Sequence, residues 1–223
     1  MTLIILSLVF FLNIQYSYSS YEYLKLAQQW PKSYCYFQIQ SGKKTCNSPI
    51  PLKFTIHGLW PSNTSTSAQP KLCPSNNQSL NQLTNQLESQ LKLDWPNLSG
   101  KDDDFWKHEW TWHGTCSENK ISQPDYFLLA LNIKRRSNLK VILANANIIP
   151  SKINSYSAKS IINTISGVTK SDPQLSCYYD SRKKVYNLQE IRLCLVADGT
   201  SYINCSNPFG NCNGHRHMIY WPI

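Results

Sequence analysis

The sequence predicts an α+β protein: a single domain with a central antiparallel sheet packed against several helices and held by disulfides. Three observations carry this. Apolar residues recur at helical spacing in the middle of the chain, at Leu80, Leu83, Leu87 and Leu91. β-rich runs flank that region, at Phe54–Leu59 and again from Leu175 onward. Eight cysteines, an even number, follow an apolar leader. Helices gathered in the middle with strands on either side argue for α+β architecture over alternating βα units.

The elements follow in order. The first twenty residues hold no Lys, Arg, Asp or Glu, and Thr2–Leu12 is an apolar run too short to span a bilayer. Residues 1–20 therefore read as a secretory signal peptide, with one domain over 21–223 and a secreted, extracellular product. Phe54–Leu59 reads as a short strand stopped by Pro61. Ser62–Gln69 is polar and reads as a surface loop. The four leucines define an amphipathic helix starting at Ser79 or earlier. Asp102, Asp103 and Asp104 suit the N-terminus of a second helix, where carboxylates meet the positive end of the macrodipole. Pro124 and Asp125 open a third, through Leu131, and Ser157–Val168 reads as a fourth. Leu175–Tyr179 and Lys184–Val196 read as strands joined by a turn at Asp180–Lys183. Asp198-Gly199 marks another turn, before Tyr202–Cys205. No segment after the leader is apolar for long enough to cross a membrane, and no membrane partner is expected.

The cysteines are Cys35, Cys46, Cys73, Cys116, Cys177, Cys194, Cys205 and Cys212. An even count in a secreted chain implies disulfides but leaves their connectivity open. No CxxC pair occurs, which argues against a zinc ribbon; no metal or cofactor is expected. Sequons at Asn63, Asn77 and Asn97 fit a glycoprotein, while the one at Asn204 has Cys205 in its middle. The formal net charge is +9. Up to Asn132, ten Lys and Arg face nine Asp and Glu; from Ile133 onward, twelve face four. That excess suits a polyanionic partner such as nucleic acid, glycan or a membrane surface, and it equally suits simple solubility.

The chemistry lies in two strings, FTIHGLWP (Phe54–Pro61) and FWKHEWTWHGTC (Phe105–Cys116). Together they hold His57, His108, Glu109 and His113, in a protein with only five His. On a helix, Glu109 and His113 are four apart and share a face. His57 sits at a strand end beside Gly58, read as a flexible residue, and could face His113 from there. His108 and His113 are five apart, where HExxH sets its two His four apart, so one helix presents them badly to a shared metal. Two imidazoles of ordinary pKa can act as base and acid near neutrality. Metal-free RNA cleavage needs little more: a base for the ribose 2′-OH, an acid for the departing 5′ oxygen, and cations for the phosphate. Trp60 could stack on a base. The plainer alternatives are a structural strand His and an ordinary helix-face His–Glu pair.

These strings closely resemble the two active-site segments of T2-type ribonucleases. The resemblance extends from the YEYLKLAQQWP start through Cys212, and within the family it is greatest to the plant self-incompatibility S-RNases. It implies a metal-independent, base-nonspecific endoribonuclease that cleaves single-stranded RNA through a 2′,3′-cyclic phosphate. It implies catalytic roles for His57, Glu109 and His113, and substrate-binding positions at Trp60, His108 and Trp112. It implies the pairings Cys35–Cys46, Cys73–Cys116, Cys177–Cys212 and Cys194–Cys205, the second worth about 2–4 kcal/mol in fixing His113. It also implies a monomer, recognised by pollen F-box proteins if it serves in the style. The departure is Trp112, where the family usually has Lys. Indole can donate a hydrogen bond but carries no charge, so the departure implies a reduced activity, by roughly 10²–10³, with Lys107 or Lys120 as the cations that could compensate. It also keeps open a weakly active or inactive relative serving as a binding or storage protein.

Overall fold

The computed structural model describes residues 21–43, 45–64, 69–75, 78–212 and 218–223. The leader (1–20), residues 65–68 of the expected surface loop and the sequon at Asn77 lie outside these residues.

Strand β1 (Tyr23–Gln29) is wholly buried and runs straight into helix α1 (Pro31–Gln40). Strand β2 (Thr55–Ser62) pairs antiparallel with β1. It does not stop at Pro61 as the sequence suggested. β2 is an edge strand of the main path, and there a missing N–H breaks no inner ladder. Helix α2 (Asn85–Asp94) starts later than the leucine spacing predicts. Thr84 caps it by accepting the Leu87 N–H, and Leu80 and Leu83 pack on the core from irregular chain. Helix α3 (Asp102–Trp112) carries the three aspartates in its first turn, as expected. Helix α4 (Gln123–Arg136) is capped by Ser122, and the short α5 (Leu139–Ala144) follows. Strand β3 (Ser155–Ser157) leads into α6 (Ala158–Thr169), capped by Ser157.

Strands β4 (Gln174–Asp180) and β5 (Val185–Val196) form the expected hairpin. β6 (Tyr202–Ile203) and β7 (Met218–Tyr220) complete one seven-stranded sheet, whose main path runs β2-β1-β5-β7-β3. Among the described residues every pairing is antiparallel except β5 with β7, which is parallel, so the sheet is mixed. β5 is the hub, touching β1, β4, β6 and β7.

One sheet face is apolar. Leu24, Leu26, Leu59, Ile191 and Leu193 pack there with Trp95, Trp106, Trp110 and Phe127 from the helical layer, all fully or nearly fully buried. The opposite face carries Lys25, Trp60, Glu190 and Arg192. Disulfides join Cys35 to Cys46, Cys73 to Cys116, Cys177 to Cys212 and Cys194 to Cys205.

Candidate active site

The first string is placed by a β-bulge. Ala27 pairs with Gly58 and Gln28 with Ile56, so His57 is the extra residue on β2. Strict alternation from Trp60 would turn His57 toward the core. The bulge instead sends Ile56 into the core, fully buried, and leaves the His57 ring on the opposite face. Buried aromatics hold this backbone: the Trp95 indole donates to the His57 carbonyl (3.0 Å), and the Tyr126 hydroxyl donates to that of Leu59 (2.7 Å).

Gly58 supplies space here rather than flexibility. A Cβ on it would lie 2.2 Å from both Glu109 Oε2 and Trp60 Nε1. Those two atoms meet above the glycine, the indole donating to the carboxyl at 3.2 Å. Glu109 is 2% exposed. Burial pushes its carboxyl up to about 7, against the pull of the His57 cation and the Trp60 N–H.

The second string places His113 at the C-cap of α3, its N–H donating to the Glu109 carbonyl (3.0 Å). The chain then tightens through a 3₁₀ turn (Gly114–Ser117) to Cys116, which the Cys73 disulfide anchors. The Trp60 ring bridges the two strings, with centroids 5.2 Å from His57 and 5.6 Å from His113. His108 is exposed one turn back on α3, its ring 5.3 Å from that of Trp112. All six residues singled out in the sequence therefore stand in one connected set of contacts.

The two imidazoles differ sharply. His57 Nδ1 lies 2.5 Å from Glu190 Oε1 on β5. A carboxylate partner requires Nδ1 to carry the proton, leaving Nε2 for the cleft. Burial alone would lower the His57 pKa; the charges of Glu190 and Glu109 overcome that and raise it to about 9. Glu190 is itself held well below the usual carboxylate range: its burial works the other way, but His57 and Arg192 outweigh it. Arg192 donates to Glu190 Oε2 from Nε (3.0 Å) and from its terminal nitrogen (2.8 Å).

Among the described residues no carboxylate pairs with the His113 ring. Burial, then the charges of His57, His108 and Lys71, push its pKa down to about 4. Its Nδ1 is buried and, among the described residues, has no hydrogen-bond partner. Burial and the His57 charge also lower His108.

Sequence reasoning missed three residues here. Glu190 and Arg192 sit at alternate positions of β5, a pattern that looks like an ordinary solvent face. Lys71 lies in an exposed loop whose Leu72 N–H donates to the Trp112 carbonyl (2.9 Å). Its ammonium stands over the Trp112 ring, 5.4 Å from the centroid. Neither lysine expected from the sequence is the cation acting on His113. Lys107 is exposed on α3, and Lys120 stands over the Tyr21 ring at 4.7 Å. Among the described residues no group of three or more His, Cys, Asp and Glu is arranged to hold a metal. Of the sequon asparagines, Asn63 is half-buried and accepts the Glu22 N–H (3.1 Å). The Asn97 Nδ2 donates to the Lys101 carbonyl (2.8 Å), a bond a glycan there would have to share.

A disulfide-bonded α+β domain that brings together two unlike imidazoles, a buried carboxyl and a shared indole is equipped for acid–base chemistry. The profile of the Ribonuclease T2 family matches residues 21–205, and the chain belongs to that family of metal-independent endoribonucleases. It is 36% identical to Ribonuclease 1 of Arabidopsis thaliana over 95% of this chain and 94% of the relative. It is 32% identical to Ribonuclease S-7 of Nicotiana alata, over 86% of this chain and 84% of that one. The structure superposes on ribonuclease MC1 from bitter gourd seeds with a TM-score of 0.79, at 30% identity, covering 90% of this chain and all of that one.

Proposed function

We propose that this protein cleaves single-stranded RNA by transphosphorylation, with His113 as base and His57 as acid. The observation that carries the assignment is the opposite electrostatic setting of the two rings. Between pH of about 4 and about 9, His113 is neutral and His57 is cationic. His113 takes the proton of the ribose 2′-OH through Nε2. The O2′–P bond forms, the P–O5′ bond breaks, and His57 Nε2 delivers its proton to O5′. The product is a 2′,3′-cyclic phosphate. In the second step the roles reverse: His57 activates water, and His113 returns its proton to O2′, giving a 3′-phosphate.

Glu109 and Trp60 brace the cleft between the rings. His108 offers a ring N–H and Lys71 a positive charge to the non-bridging oxygens, Lys71 in place of the cation that Trp112 lacks. Trp60 offers its ring to a base. Crystals of ribonuclease MC1 variants with 5′-GMP and 5′-UMP are consistent with such a cleft taking nucleotides. The leader over 1–20 and four disulfides support export from the cell. Sugar chains at Asn63, Asn77 and Asn97 belong to the same reading.

The test is incubation with a dinucleoside monophosphate, followed by phosphorus NMR. A cyclic phosphate that accumulates and then hydrolyses to the 3′-phosphate is expected. A 5′-phosphate product, or no cleavage, would overturn the mechanism.

The biological role we propose is rejection of pollen in the style, by cytotoxic RNA degradation and recognition by pollen F-box proteins. The +9 charge and the S-RNase similarity support it. The likeness to Ribonuclease 1, whose name carries no S designation, supports a second reading as a non-S ribonuclease, which we place in defence or phosphate scavenging. Transcript confined to the style supports the first; expression across leaves and roots supports the second.

A further inference from the structure

A cleft of about 1000 Å³ opens beyond Trp60, on the sheet face that carries His57. β1, β2 and β5 supply its floor, and Asn204 and its neighbours close the far side. Among the described residues that line it, only Lys25 and Arg192 are charged, and both are cations.

Lys25 is unusual. It sits on β1 between Trp60 of β2 and Cys194 of β5, and is only 9% exposed. Among the described residues it forms no ion pair. Its ammonium stands over the Tyr23 ring, 5.8 Å from the centroid. Glu190, the carboxylate further along this face, is already engaged by Arg192 and His57. A lysine is seldom buried without a carboxylate, because desolvating an unpaired charge is costly. Here the cost is compounded: burial first, and then the Arg192 charge, lower its pKa. An anion seated against Lys25 and Arg192 would relieve both penalties.

Trp60 links this cleft to the His pair. One part of its ring meets His57 and His113, and the Arg192 guanidinium stands over it at 5.4 Å. A strand whose scissile phosphate lies between the imidazoles would pass this indole on its way into the cleft.

We propose that Lys25 and Arg192 form a second phosphate-binding site, which holds the phosphate next to the scissile one on the RNA substrate. The proposal rests on the ribonuclease reading for its ligand. Its consequence is that the enzyme favours internal positions of a chain over isolated dinucleotides.

The test is binding of deoxydinucleotides, which lack the attacking 2′-OH, so its outcome does not depend on turnover. Titrations at low salt compare thymidylyl-thymidine with the same compound carrying a terminal 5′-phosphate or 3′-phosphate. One added phosphate is expected to tighten binding about tenfold, the scale of one charge-assisted hydrogen bond. Lys25→Met is expected to erase that gain and Lys25→Arg to keep it, while Lys159→Met, at an exposed position of α6, leaves it unchanged. Should Met disturb β1, Lys25→Gln gives the same reading. No gain from either terminal phosphate, or a gain that survives loss of the Lys25 charge, overturns the site. Failure to cleave RNA would count against the ribonuclease reading alone.

Discussion

The two halves of the cleft hold the same side chain in opposite states. On β2, a bulge aims His57 at a buried carboxylate, and the ring stays charged. At the end of α3, His113 is surrounded by His57, His108 and Lys71, and burial keeps it neutral. A helix C-terminus would ordinarily favour a cation; desolvation first, and then the charges facing the ring, His57 foremost, outweigh it. The lesson is that acid and base are assigned by the neighbours of an imidazole, and that one half of the cleft sets the other. Cationic His57 is itself one of the charges that holds His113 down.

The largest break in this comparison is removal of either ring. His57→Asn and His113→Asn are each expected to lower kcat for dinucleotide cleavage by about 10²–10⁴. Steady-state kinetics on purified variants, checked for folding by circular dichroism, measure it. Unchanged cleavage in either variant removes that ring from the mechanism.

Next comes the cation beside His113. Lys71→Met is expected to cost about 10² in kcat, the scale of one lost donor at a developing charge. Trp112→Lys is expected to help little in the parent protein and to restore most of the loss in the Lys71→Met background. Equal effects of Trp112→Lys in both backgrounds would dismiss Lys71.

The smallest effect is the most selective. Glu190→Gln removes the charge that raises His57, so the alkaline limb of kcat/KM should move down from about 9. At pH 8 that is a loss of about tenfold, with activity at pH 5 nearly retained. Stability carries the same signature. The His57 pKa is raised on folding, so its contribution is full below 6.5 and is lost as pH climbs through about 9. The Glu190 pKa is lowered, so its contribution is full above 4.5 and is lost toward about 2. Thermal melts across pH should therefore show the parent most favoured over Glu190→Gln between about 4.5 and 6.5.

What could be read from the chain beforehand was mostly local. Helix α3 was legible because Asp102–Asp104 fit its dipole, and β5 because its alternation is long. Strand β1 was not, because Lys25, Gln28 and Gln29 interrupt its apolar pattern even though the strand is buried on both sides. Helix α1 lacks both a side-chain cap and an apolar stripe. His57 and His113 stood out through their rare Trp and His neighbours. Glu190 came from a strand far along the chain, and Lys71 from a loop brought in by the Cys73–Cys116 bond. No local pattern encodes either contact. The bulge that turns His57 was equally invisible, since it exists only in the pairing of β1 with β2.

The assignment of acid and base is tested most directly by changing the leaving group. A uridine 3′-(4-nitrophenyl) phosphate releases a phenolate that needs no proton. With it, His57→Asn should come within about tenfold of the parent, while His113→Asn should remain impaired by about 10²–10⁴. Rescue of His113→Asn instead, with His57→Asn still impaired, would contradict the account and exchange the two roles.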